Sequence, residues 1–139
     1  MIVRTADERG EGIVSALLLL AGALLPLCFL VALLGRIEQA ALAASQAASS
    51  AVRVAALAPD AGAAQSAADA ELAAAQGQTS AVLALRLEGT FTRGGLLEAE
   101  VSARLDLGAL PFVGGLGTIT LVESARAPID LYRALPGSS

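Results

Sequence analysis

The sequence predicts an α+β chain: a long N-terminal helix, a short second helix and a small three-stranded antiparallel sheet. Three observations carry this. A run of 24 residues without a charge, Gly12 to Gly35, is followed by a proline-free, Ala-rich stretch up to Pro59. A second Ala-rich segment ends at Gly77. Beyond it the apolar period changes from helical to two, the spacing of a strand with one buried face.

The first element is the most informative. At about 1.5 Å per residue, a 24-residue helix spans roughly 36 Å, more than the bilayer core of about 30 Å. Ser15 is the one conspicuous polar residue in the run, where a buried soluble helix would carry a polar face. A secretory signal has a shorter apolar region, a net positive flank and a nearby small-x-small cleavage site. Here Arg4 and Arg9 are offset by Asp7, Glu8 and Glu11, and the first convincing site, Ala41-Leu42-Ala43, lies well past the apolar end. A retained transmembrane helix over 12–35 is therefore expected, with 1–10 as a leader or cytoplasmic flank. Arginines flank both ends, so orientation rests on length: the short N-terminal part stays inside and the long C-terminal part is exported. Pro26 deletes one backbone hydrogen bond mid-span and predicts a local kink.

The helix is expected to continue to Ala58, a long element over 11–58 of roughly 70 Å. Past the membrane its bulkier polar residues, Arg36, Gln39, Gln46, Ser50 and Arg53, fall on one stripe with Ala43 filling the gap. Ile37, Ala41, Ala44, Ala48, Val52 and Ala55 form a narrow apolar stripe opposite, a packing face for a neighbouring helix or sheet. Pro59-Asp60-Ala61-Gly62 is a turn signal, so 59–139 forms the exported module. Within it, Ala63 to Gln76 reads as the second helix with Gly77 as its stop, a flexible Ala/Gln/Ser linker being the alternative.

The strands follow. Leu83, Leu85 and Leu87 alternate with Ala84, Arg86 and Glu88. Leu97, Ala99, Val101, Ala103, Leu105 and Leu107 alternate with Glu98, Glu100, Ser102, Arg104 and Asp106. Thr92-Arg93-Gly94-Gly95 supplies the hairpin turn, and a Gly/Pro-rich loop over 108–117 leads to a third strand, TITLVESARA. The sheet needs a cover, which the Ala/Val stripe of the long helix can provide.

Composition narrows function. The 139-residue chain is 55% hydrophobic but 3% aromatic, has no histidine and one cysteine, and carries a net charge of -4. Scattered charge offers nothing basic to nucleic acid. Without His, zinc sites and His-based triads are excluded, and Cys28 inside the apolar run reads as a small hydrophobe. No catalytic residue, metal, cofactor or small-molecule substrate is expected, and the chain reads as non-enzymatic. Gly114-Gly115-Leu116-Gly117 lacks the lysine and context of a phosphate loop and reads as a turn. Glu98 and Glu100 share a strand face but read as a solvated pair balanced by Arg104 and Arg86. Leu135-Pro136-Gly137 has no hydrophobic tail after it and is no sorting signal.

In layout the chain resembles the TadE-like pilins of the tight-adherence (Tad/Flp) type IV pilus machinery. The residues that carry the likeness are Glu8-Arg9-Gly10 ahead of an uncharged segment containing Leu25-Pro26, and the Ala-rich helix from Gln39-Ala40-Ala41 through Ala51-Val52-Arg53-Val54-Ala55-Ala56. To these are added the strand repeats, Leu110-Pro111 and the ending Ser124-Ala125-Arg126-Ala127-Pro128-Ile129-Asp130. The resemblance implies a prepilin-type leader cut by a membrane peptidase after Gly10, leaving Glu11 as the new N-terminus and the apolar helix in place. It implies packing against other pilin subunits or pilus-assembly membrane proteins, with the lipid bilayer as the environment before assembly. Small residues such as Ala21, Gly22 and Ala23 would permit close helix contact. One position departs from the family: Ser15 stands where members usually carry Glu, a residue able to pair with a neighbouring subunit's ammonium.

Overall fold

The computed structural model describes residues 7–108, 115 and 117–131, with exposures from residue 12 onward. Two helices are followed by three strands: α1 (Asp7–Leu57), α2 (Ala61–Gln76), β1 (Val82–Gly89), β2 (Leu96–Asp106) and β3 (Thr118–Pro128). The chain divides into two compact units, Met1–Arg36 and Ile37–Ser139.

The first unit is the apolar part of α1. The helix begins at Asp7, five residues before the start of the apolar run, and it passes through Pro26 without interruption. Apart from half-buried Phe29 and Leu33, its apolar side chains stand exposed; Leu19 and Leu25, for example, are 76% and 69% accessible.

The second unit has its own core. The sheet is antiparallel, in the order β1-β2-β3. Leu83, Leu85 and Leu87 of β1 face Ala103, Val101 and Ala99 of β2. These in turn face Leu121, Glu123 and Ala125 of β3. This inner face carries the core. Leu97, Ala99, Val101, Ala103 and Leu105 are all buried, and Leu107 continues the series just beyond the strand. The alternation expected over β2 is therefore present along its whole length.

A cluster of Ala51, Val52 and Ala55 from α1, Ala58 just past its end, Ala64 and Ala68 from α2, and Leu97, Ala99 and Ile129 joins helices to sheet. Alanine predominates because methyl-sized side chains let the helix backbone approach closely. Among the described residues the largest fully buried side chains are only Leu107, Ile129, Val52 and Val101.

The buried face of α1 is wider than the predicted stripe. Ala44, Ala48, Val52 and Ala55 are buried as expected, while Ile37 and Ala41 are half-buried. Ala40, Ala47 and Ala51 join them. Ala43, assigned to the polar stripe, is 7% accessible and belongs to the core side. The reason is a second neighbour: α2 lies along the same segment, and Ala43, Gln46, Ala47 and Ser50 line a shallow cleft with Glu71, Ala74, Ala75 and Gln78.

The start of α2 also differs from expectation. It begins at Ala61, two residues early, because Asp60 is its N-cap and accepts a hydrogen bond from the Ala63 backbone N–H at 2.8 Å. The turn is thus tighter than Pro59 to Gly62, and Gly62 lies inside the helix. Gly77 is the C-cap, as expected. In the hairpin, Gly94 has φ +70°, and the Gly95 N–H donates to the Thr92 carbonyl at 2.8 Å. The same loop is tied to the end of β3: the Ile129 N–H donates to the Gly95 carbonyl, and the Gly94 N–H to the Ile129 carbonyl.

Candidate functional site

The helix over 12–35 is the first candidate surface. α1 is long and apolar enough to cross a membrane, and no part of its most apolar window is buried within the chain. Backbone polar groups inside a helix are paired internally, which a lipid environment demands. Ala21, Gly22 and Ala23, the small residues expected to permit close packing, are exposed, as are Ser15, Pro26 and Cys28. A Cβ added at Gly12, Gly22 or Gly35 would meet open space. The candidate cleavage position, Gly10 and Glu11, falls within the helical backbone of α1, and residues 1–6 lie outside the described residues.

The outer face of the sheet is the second. It presents Arg86, Glu88, Glu98, Glu100, Arg104 and Arg126 to solvent with Val82, Leu96 and Val122 among them. Sequence reasoning placed Arg104 and Arg86 as the balance for Glu98 and Glu100; the register does set Arg86 opposite Glu100, but the ion pairs run elsewhere. Glu98 lies directly opposite Arg126 of β3 and holds it with two contacts, 3.0 Å to Nε and 3.1 Å to Nη2. That hydrogen bond, and then the carboxylate's charge, raise the guanidinium pKa above its ordinary value. Arg86 pairs instead with Glu88 of its own strand at 2.6 Å. Both pairs are solvated and screened, so they fix side-chain geometry more than stability. The face is a mixed, solvent-bathed ladder. Among the described residues no three of His, Cys, Asp and Glu gather where a metal ion could be held.

A third feature escaped sequence reasoning. Gln76, the last residue of α2, donates from Nε2 to the Ala81 carbonyl at 2.7 Å and accepts from the Leu83 N–H at 2.8 Å. Its amide stands in for a neighbouring strand at the start of β1. Nothing in the sequence distinguishes this glutamine from Gln65 or Gln78; the signal is its position relative to a strand seven residues on.

The Leu110-Pro111 motif and most of the Gly-rich loop lie outside the described residues, as does Leu135-Pro136-Gly137. The loop is closed where Leu107 donates to the Gly117 carbonyl at 3.0 Å, and Gly117 has φ +69°. Compared with known proteins, the chain matches no family model, no curated protein and no solved structure.

Proposed function

We propose that the protein is a non-enzymatic structural or assembly subunit of a Tad type IV pilus, a TadE-like minor pilin anchored through its N-terminal helix. The observation that carries the reading is the exposed apolar surface of residues 12–35 in a chain whose second unit buries a core of its own. Such a surface requires lipid or other helices around it. In this reading the subunit waits in the membrane, single-pass, with its N-terminus inside and the sheet-bearing unit outside. It enters the fibre by exchanging lipid contacts for contacts with other pilin helices, Ala21, Gly22 and Ala23 allowing close approach. The combination of one apolar helix with a small α+β unit supports the same reading, as do the family-like residues around Gly10 and Leu25-Pro26.

Ser15 favours a second reading. A hydroxyl can hydrogen-bond but cannot neutralise a neighbour's terminal ammonium, so a chain without Glu there is suited to remaining in the membrane uncleaved. The protein would then be a single-pass envelope protein whose exported unit docks a secretion or cell-wall complex. Intact mass of the protein from native membranes and from sheared surface fibres tests both. A chain beginning at Glu11 and recovered in fibres is the result expected of the pilin. A chain beginning at Met1 and confined to membranes would reject it and favour the envelope anchor.

A further inference from the structure

The two edges of the sheet are treated differently. At β1, the Gln76 amide occupies backbone groups at Ala81 and Leu83, and α2 packs alongside the strand. At β3, among the described residues, no strand or helix is bonded to the outer side. β3 is 11 residues long, pairs with β2 in unbroken register from Thr118 to Asp106 through Pro128 to Leu96, and has no proline before its last residue. A long, regular, uncovered edge is a template for pairing with another chain. It carries neither lysine nor a bulge.

What it does carry is one inward-facing charge. Ile119, Leu121, Glu123, Ala125 and Ala127 share the inner face, all half-buried, and Glu123 lies opposite fully buried Val101 with Ala99 and Ala103 on either side. No ion pair or hydrogen bond serves the Glu123 carboxylate among the described residues. We infer that Glu123 keeps the β3 edge from pairing with a second copy of this chain.

Two copies joined symmetrically through β3 run antiparallel about a two-fold axis perpendicular to the sheet, so their inner faces coincide and inner residue meets inner residue. No register can then supply a cation, because the other inner residues are Ile119, Leu121, Ala125 and Ala127. The register centred on Glu123 sets two carboxylates opposite each other, which is repulsive. Every other register dries a carboxylate among apolar side chains, which is costly. Pairing with the β1 edge of another copy, inner faces on the same side, fails for the same reason, since Leu83, Leu85 and Leu87 face inward there. The inference does not depend on a pilus role.

The test uses the full chain in lipid nanodiscs holding one copy each, so that contacts between apolar helices do not contribute. Amide hydrogen exchange over 118–128 is followed as protein concentration is raised, with exchange over 96–106 as the check on folding. For the unaltered protein, β3 exchange should not depend on concentration. Glu123→Val and Glu123→Thr should each slow it by on the order of tenfold at high concentration. Glu123→Lys alone should behave like the unaltered protein, and an equal mixture of the two should regain protection. Concentration-dependent protection in the unaltered protein would overturn the inference. So would its absence in both neutral variants, or its presence in Glu123→Lys alone.

Discussion

At the scale of single residues, two side-chain choices hold the second unit in shape. Gln76 bridges a helix end to the start of β1 with one donor and one acceptor, the pattern a neighbouring strand would offer. Gln76→Ala should cost about 1–2 kcal/mol, since the Leu83 N–H and Ala81 carbonyl lose partners in a half-buried site. The amide exchange rate of Leu83 reads this directly, and Gln76→Glu should restore only its protection, not the second bond. Gly89 is the other. Its φ of +130° is open to glycine alone, and a Cβ there would collide with the Leu96 backbone carbonyl. Gly89→Ala should therefore destabilise the hairpin by about 1–3 kcal/mol, measured from exchange across β1 and β2.

At the scale of elements, legibility in the sequence tracked the contrast between side chains. β2 was readable residue by residue because Leu97, Val101 and Leu105 alternate with Glu98, Glu100 and Arg104, and a one-residue slip would bury charge. The part of α1 beyond Arg36 gave far less contrast. In a run made mostly of alanine, Ala43 and Ala44 look alike, and only the position of α2 decides that both are buried. The start of α2 was misplaced because Gly62 reads as a turn residue, whereas the Asp60 cap had already opened the helix. Gln76's role depended on a partner strand and had no local signature. The same small-on-small packing makes a prediction. Ala51 and Ala99 are both 0% accessible and belong to one cluster between α1 and β2. Ala99→Leu should push helix and strand apart at a cost of about 1–3 kcal/mol or more, whereas Ala99→Gly should cost less. Exchange-derived stability of β2 measures both.

At the scale of the whole molecule, the apolar run of α1 was legible from composition alone, because 24 residues without a charge have few physical interpretations. What surrounds that run was not legible, since lipid and neighbouring helices select for the same residues. Leu24 lies near its middle and is 53% accessible. Leu24→Arg should weaken insertion by about 2.5–3.5 kcal/mol, shifting the chain from the membrane pellet to the alkaline-extractable fraction. Conservative changes at the same place, such as Leu24→Ile, should leave the partition unchanged.

The alanine core has a consequence for what folding costs. Burying a leucine or methionine freezes rotamers that were free in the unfolded chain, whereas a methyl group has none to lose. Most contacts that α1 and α2 make with the sheet are of the second kind. The helix side of this core therefore gathers less hydrophobic driving force per residue than a leucine-rich one would but gives up almost no side-chain entropy, that cost falling on Leu83, Leu97, Leu105 and Leu107. Its balance of enthalpy and entropy is set chiefly by the backbone, and a stable fold is reached with a core that has few large side chains to order.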